Sequence, residues 1–248
     1  MKVSIITVTY NSEKTLRDTL ESVETQSYKD IEYIIVDGAS TDNTIQIVNE
    51  FSTRISKCIS EKDKGIYDAL NKGISQASGD IIGFIHSDDV LAQPNVIEMI
   101  VNEFQQKQVD IVYGDLVFVE KTKLNVVKRF WKSGPFQKYK IALGWAPPHP
   151  SFYMKRELYL DDGLFDLSFK IAADYDHMLR FLRRDNVNVS YLPHVLVKMR
   201  LGGESTRFDN AALSTKEIIG VMKKQKINWP LAIIFRKLSK VTQFFSRA

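Results

Sequence analysis

Short apolar runs alternate with amphipathic stretches through the first hundred residues. Residues 3–8 form a continuous, β-branched apolar run of the kind a central strand needs. Asn11 and Ser12 follow as turn and N-cap residues, and the helix they open places Leu16, Leu20 and Val23 on one face. Residues 31–36 predict a second strand, and Thr41-Asp42-Asn43-Thr44 starts a helix with Ile45, Val48 and Phe51 inward. A third strand over 55–59, a third helix over 66–77 and a fourth strand over 81–85 continue the rhythm. Pro94 fits the first turn of a further helix running through Phe104. This alternation predicts an α/β fold, a parallel sheet with helices on both faces.

After residue 108 the pattern changes. Residues 110–119 and 123–131 read as two strands, a hairpin, and 134–150 carries two glycines and four prolines, the composition of a shaped loop. A helix over 173–184 turns Met178, Phe181 and Leu182 inward, and 187–199 contains strand-like runs broken by Pro193. Residues 208–227 and 230–246 predict two helices separated by Trp229-Pro230. The organisation is therefore a domain over 1–205, with halves at 1–108 and 109–205, and a C-terminal helical extension over 206–248. In the last helix Leu231, Ile234, Phe235, Leu238, Val241 and Phe245 share one face, with Arg236, Lys237, Lys240 and Arg247 outside it. Two environments fit that pattern: an anionic membrane interface, or packing against the domain or a second subunit.

At 248 residues, 44% hydrophobic and 26% charged, the chain can build a sizeable core. A net charge of +4 is too weak to imply nucleic-acid binding. The charge is uneven: from Lys216 onward there are eight Lys/Arg and one acid, Glu217, while the preceding part is close to neutral. A single cysteine, Cys58, excludes an internal disulfide and any Cys-rich metal site, and its alternating surroundings read as strand rather than nucleophile. The polar residues Asn11, Glu13 and Lys14 end the first apolar run too early for a signal peptide, and no run reaches the length of a spanning helix. The cytoplasm is the expected compartment, with peripheral contact at the inner face of the cytoplasmic membrane if the tail binds lipid.

Two acidic clusters carry the candidate chemistry. Ser87-Asp88-Asp89 follows the fourth apolar run, and carboxylates at a strand end suit a divalent cation that completes its shell with water and phosphate oxygens. Two adjacent like charges also require a compensating cation or donor. Asp174-Tyr175-Asp176 opens an amphipathic helix and can supply a general base. Asp37, after the second strand, falls on the same carboxyl-end rim as Asp88, where open α/β sheets bind ligands. Residues 36–44, including Asp37 and Gly38, fit either a nucleotide-binding turn or a plain βα turn with a Ser or Thr cap. Residues 61–73 fit either a salt-linked helix face, with Asp68 and Lys72 as i,i+4 partners, or a nucleotide-facing surface with Asp63, Gly65 and Asp68. His86 and His149 are candidates for metal or phosphate contact, without zinc-site spacing. No P-loop, GxGxxG or Ser-His-Asp grouping is present.

Taken in order, these segments resemble the inverting GT-A glycosyltransferases of family 2, over roughly residues 1–205. The resemblance rests on Val3-Ser4-Ile5-Ile6-Thr7-Val8-Thr9-Tyr10-Asn11, on residues 36–44, on 73–89, and on Gly163-Leu164-Phe165-Asp166 followed by Ala173-Asp174-Tyr175-Asp176. It implies a mixed, mainly parallel Rossmann-like sheet flanked by helices. It implies that Thr9 and Asp37 contact the nucleoside, with Tyr10, Asn11, Gly38, Asp68 and Ser87 beside them. It makes Asp88 the main ligand of Mn²⁺ or Mg²⁺ with Asp89 adjacent, Asp174 the general base, and His149, Gly163 and Asp176 acceptor-side residues. The donor implied is a nucleotide-diphosphate sugar, UDP by default, and the acceptor a saccharide or lipid-linked saccharide. The sequence departs from the family at His86, where an acid is usual, at Ala173, where many relatives have Glu, and over 199–205, which lacks a late histidine that His149 or water is left to replace. A sugar nucleotidyltransferase is the competing enzyme class, though Thr9-Tyr10-Asn11-Ser12 lacks its glycine-rich loop. A non-catalytic binder of nucleotide sugars is the other alternative.

Overall fold

The computed structural model describes residues 1–202 and 211–242. Its first half follows the predicted rhythm: β1 (Val3–Thr9), α1 (Leu16–Glu24), β2 (Ile31–Asp37), α2 (Thr44–Glu50), β3 (Lys57–Ser60), α3 (Ile66–Gln76), β4 (Ile81–Phe84), β5 (Val90–Leu91) and α4 (Val96–Lys107). The second half contains β6 (Ile111–Glu120), β7 (Lys123–Trp131), α5 (Tyr139–Ala142), β8 (Phe152–Lys155), α6 (Arg156–Asp162), α7 (Ala173–Leu182), β9 (Val189–Arg200), α8 (Ala211–Lys224) and α9 (Trp229–Thr242).

The strands make one mixed sheet in the order β3-β2-β1-β4-β8-β6-β9-β5, with β7 paired to β6. β3, β2, β1 and β4 run parallel; β8 is antiparallel to both β4 and β6, and β9 returns parallel to β6. Successive side chains on a strand face opposite sides, so Ile5 and Ile35 pack with Leu16, Leu20 and Ile97 on one face. Ile6 and Ile34 pack with Leu70, Ile74 and Met178 on the other. Both faces are covered, which is why these strands read as continuous apolar runs. Fully burying one such side chain contributes roughly 1.5–3 kcal/mol.

Local departures from the sequence reading have physical causes. Strand β3 begins two residues later than expected and lies at the sheet edge, leaving Cys58 exposed. Pro94 precedes α4 rather than entering it, and its carbonyl accepts from the Ser27 N–H at 2.7 Å. The loop over 134–150 holds α5 and the start of a 3-10 turn at His149–Ser151. Pro193 does not break β9. Tyr113 pairs with Tyr191 and Asp115 with Val195, so residues 192–194 bulge opposite Gly114, and proline's missing N–H is tolerated in a bulge.

Helices α8 and α9 share the core of the second half: Val221, Met222 and Ala232 are fully buried. Glu217 of α8 accepts the N–H groups of Lys170, Ile171 and Ala172 at 2.8–3.0 Å. It holds the turn from which α7 departs, and a carboxylate there also complements the helix dipole. The expected boundary at 205/206, and the parts of the two last helices expected at 208–210 and 243–246, lie outside the described residues. So do Phe245 and Arg247.

Candidate active site

The carboxyl ends of β1, β2 and β4 meet the first turn of α7 and the 3-10 turn at one rim of the sheet. Thr9 ends β1; it is buried and its hydroxyl has no hydrogen-bond partner. Asn11, at φ +48°, ties two loops together. Its side-chain oxygen accepts from the Thr41 N–H at 2.9 Å, and its own N–H donates to the Ser40 hydroxyl at 2.8 Å. Asp37 is fully buried, accepting from the Ser40 N–H at 3.0 Å and the Ser60 hydroxyl at 2.6 Å. Its oxygens order the βα turn. The Tyr10 ring stands exposed beside Gly38, where a methyl group would come within 2.6 Å of the Asp63 carboxylate. Glycine at 38 therefore admits Asp63 to the rim. Asp63 in turn accepts from the Gly65 N–H at 2.9 Å, and Gly65 has φ +112°, a conformation glycine adopts freely.

The neighbouring helix face is salt-linked. Asp68 accepts from the Lys64 N–H at 3.0 Å, and the Lys72 ammonium lies 2.8 Å from Glu61 and 3.5 Å from Asp68. The salt-linked arrangement expected of Asp68 and Lys72 is present.

The acidic turn after β4 separates its two carboxylates. Asp88 is partly exposed, and among the described residues its carboxylate takes no hydrogen bond or ion pair. Asp89 is fully buried and turned onto β9, accepting from the Arg200 N–H at 3.2 Å, while its backbone carbonyl accepts from the Thr19 hydroxyl at 2.8 Å. Burial, reinforced by the Asp88 charge, pushes the Asp89 carboxyl well above the usual range. Of the two carboxylates expected on a metal, Asp89 is thus buried, with one oxygen on the Arg200 N–H and Oδ2 unpartnered, and it secures the turn against β9. Arg200, which the sequence reading missed, clamps it, donating to the Asp88 carbonyl at 2.7 Å and pairing with Asp18. This guanidinium supplies part of the compensation that the like charges demanded. The signal was a lone arginine ending a mainly apolar strand. Ser87 bonds the Ser12 hydroxyl at 2.9 Å, joining the turn to the β1 loop.

Asp174 lies in the first turn of α7. One oxygen accepts from the Tyr175 N–H at 2.7 Å and lies 3.3 Å from the Tyr67 hydroxyl. Burial pushes this carboxyl up, and the hydrogen bonds with the Arg236 and His86 charges oppose the rise. The His86 imidazole senses the charges of both Asp88 and Asp174, while burial holds its pKa below the ordinary value. His149 is buried, stacked on Phe84 at 5.3 Å between ring centres and 5.8 Å from His86, with Nε2 unpartnered. Burial drives its pKa far down, so the ring is neutral near pH 7.

Two residues expected on the acceptor side carry structural contacts. Asp176 is fully buried and bound by Arg180 at 3.2 Å, Lys224 at 3.1 Å and Gln225 at 3.0 Å, which docks α8 on α7. Gly163 closes α6, and a methyl group there would sit 2.1 Å from the Tyr159 backbone, so its role is close packing. Two further residues escaped the sequence reading. Tyr67 borders Asp174: its one hydroxyl proton goes to the Ile171 carbonyl at 2.6 Å, leaving the longer 3.3 Å contact to the Asp174 carboxylate. Arg236 of α9 lies 4.5 Å over the Tyr175 ring and donates to the Gly144 carbonyl at 2.9 Å.

Comparison with known proteins places this geometry. The model of the family described as glycosyl transferase family 2 matches residues 4–159, from β1 into α6, and stops short of Asp174. An uncharacterized glycosyltransferase of Mycobacterium tuberculosis is 34% identical over 181 residues, covering 72% of this chain and 68% of the relative. A PGL/p-HBAD biosynthesis glycosyltransferase of Mycobacterium bovis is 28% identical over 198 residues, 78% of this chain and 74% of the relative. Among solved structures, TarS of S. aureus superposes with a TM-score of 0.68 at 21% identity, over 88% of this chain but only 39% of TarS. The mannosyltransferase PcManGT of Pyrobaculum calidifontis, solved with GDP-Man and Mn²⁺, gives 0.66 at 18% identity over 96% of this chain and 69% of that one. These structural likenesses establish the GT-A fold predicted from sequence. With the family model spanning the strands β1, β2 and β4 that end at this rim and a relative above 30% identity along most of the chain, the protein belongs to glycosyl transferase family 2.

Proposed function

We propose that the protein transfers a sugar from a nucleotide-diphosphate donor, UDP-linked by default, to a saccharide or lipid-linked saccharide with inversion at the anomeric carbon. Its place would be surface polysaccharide biosynthesis at the inner face of the cytoplasmic membrane, with residues 230–248 as the lipid contact. The observation that carries the reading is a pair of acids that both act on His86: Asp88, without a protein partner among the described residues, and Asp174, held by the Tyr175 N–H with one oxygen still available.

Among the described residues no cluster of three or more His, Cys, Asp or Glu side chains could hold a metal by itself. The donor set fits a hard cation bound through one carboxylate, with water and diphosphate oxygens completing its shell. Asp88 would hold Mn²⁺ or Mg²⁺, which supplies charge neutralisation for the departing diphosphate. Around it Thr9 offers a hydroxyl and His149 a neutral ring nitrogen toward the donor, and Tyr10, Gly38 and Asp63 line the nucleoside side. Asp174 takes the acceptor hydroxyl's proton on its free oxygen as the acceptor oxygen bonds to the anomeric carbon. The bond from that carbon to the phosphate oxygen breaks, and its electron pair leaves with the nucleoside diphosphate. One such displacement converts an α-linked donor into a β-linkage.

Incubation with UDP-, GDP- and dTDP-sugars, with and without Mn²⁺ or Mg²⁺, tests the reading. Metal-dependent release of nucleoside diphosphate and an inverted anomeric centre by NMR are expected. Release of pyrophosphate would identify a nucleotidyltransferase, and retention of configuration would exclude single displacement.

A further inference from the structure

The two faces of α9 do different things. Ala232 is fully buried, and a methyl group on Gly144 would meet its carbonyl at 2.8 Å, while Arg236 reaches the Gly144 carbonyl and the Tyr175 ring. This face closes the wall behind Asp174, because Tyr175 is its neighbour in α7. The opposite face carries Leu231, Ile234, Phe235 and Leu238 at helical spacing, each between 41% and 58% exposed. Trp229 at the head of the helix is also exposed. A stable protein does not need four adjacent exposed apolar side chains on one stripe, so they call for an occupant.

Charge selects the occupant. Helix α9 contains Arg236, Lys237 and Lys240 and no acid. Lys223 lies 5.5 Å over the Trp229 ring, and Lys226 and Lys237 are exposed. The single acid after Lys216, Glu217, is committed to the N–H groups before α7. A second copy docking by the same stripe would face Lys237 with Lys237 and offer no carboxylate from α9 to pair with it. An anionic lipid surface satisfies both features, taking the apolar stripe into its interface and drawing the lysines. A helix is about 10–12 Å across with its side chains, so docking would hold Asp174 little more than one helix thickness from the lipid.

We infer that the outward stripe of α9, Leu231, Ile234, Phe235 and Leu238 with Lys223, Lys226 and Lys237, docks the protein on an anionic membrane and holds Asp174 close to it. The inference rests on the proposed transfer to a lipid-linked acceptor only for its purpose; the docking itself is independent of the reaction. In sequence, Val241 continues the stripe's spacing.

The test is cosedimentation of the full chain with phosphatidylcholine vesicles with and without phosphatidylglycerol, alongside hydrolysis of a nucleotide sugar in solution. Binding should require phosphatidylglycerol and weaken roughly tenfold as salt rises from 0.1 to about 1 M. Ile234→Glu with Phe235→Glu should abolish it and Lys237→Glu should reduce it, both leaving hydrolysis unchanged because neither faces the site. Equal cosedimentation of wild type and the double variant would overturn the inference. So would a wild-type dimer, insensitive to vesicles, that the double variant converts to a monomer. Hydrolysis without vesicle binding overturns this inference alone; vesicle binding without hydrolysis supports it and counts against the proposed reaction.

Discussion

The sheet has two rims, and they treat their charges in opposite ways. At the amino ends of β1 and β2, Glu32 accepts from the Ser4 hydroxyl at 2.6 Å and from the Ser78 N–H and hydroxyl at 2.7 and 2.8 Å, with Lys2 and Lys57 at 3.5 and 3.6 Å. Burial pushes its carboxyl up, but these hydrogen bonds reverse the effect and bring it down to about 2. Asp110 on the same rim is bound by Lys155 at 2.8 Å and the Asn188 N–H at 2.8 Å. At the carboxyl ends, Asp37 is saturated because it shapes a turn, yet the Thr9 hydroxyl, His86 Nδ1 and His149 Nε2 have no partner. Asp174 is held with its pKa raised. A fold ordinarily satisfies its buried polar groups. Among the described residues Asp89 Oδ2, the Tyr153 and Tyr159 hydroxyls and both His177 ring nitrogens are unpartnered as well, but Thr9, His86 and His149 lie on the rim where α/β sheets receive ligands, and it is there that the proposed function uses the open capacity.

Substitutions on the two rims should therefore separate activity from stability. The largest effect is expected for Asp88→Asn, which should lower transfer by several kcal/mol in barrier, on the order of 10⁴-fold, with no loss of melting temperature. A large drop in melting temperature would move Asp88 into the class of Glu32.

Asp174→Asn should lower transfer by about 10²–10⁴-fold while nucleotide binding persists. Because burial raises this carboxyl, the folded state holds its proton more tightly than the unfolded chain. Its ionisation then disfavours the fold as pH rises through the raised value. The Asn variant should accordingly be more stable than wild type at neutral pH and equal to it in acid, as thermal unfolding across pH would show. For the same reason the acid limb of kcat/KM should lie above the pH at which an ordinary aspartate titrates.

Glu32→Ala sharpens the contrast from the other side. Losing its charge-assisted hydrogen bonds should cost about 2–4 kcal/mol of stability and leave the specific activity of folded protein unchanged. The depressed pKa sets the sign: the Glu32 contribution is full above its ordinary value of 4.5 and disappears as pH falls toward about 2. The unfolding curves of variant and wild type should converge over that interval.

The sequence made the strands of the first half legible because both sheet faces are buried, and the rim followed from where those strands end. It did not reveal which of two neighbouring acids faces out. Asp88 and Asp89 sit in a turn, where orientation depends on Arg200 arriving from β9, more than a hundred residues away. Asp174 and Asp176 were both read toward the acceptor, although two positions on a helix lie about 200° apart. Asp176 faces α8, whose packing no local pattern announces. The bulge at Pro193 was hidden because it is defined by the partner strand. In α9 the apolar stripe was plain in the spacing, whereas the role of Arg236 depends on a loop at Gly144 that composition marked only as irregular.

In the proposed function the open carboxylate of Asp88 is kept for a nucleoside diphosphate and its cation. Isothermal titration of UDP, GDP and dTDP into wild type, Asp88→Asn and Glu32→Ala, each with and without Mn²⁺, tests this most directly. The expected result is binding of at least one of the three that strengthens with metal in wild type and in folded Glu32→Ala, and loses its metal dependence in Asp88→Asn. Binding indifferent to both metal and Asp88, or no binding of any of the three, would contradict it.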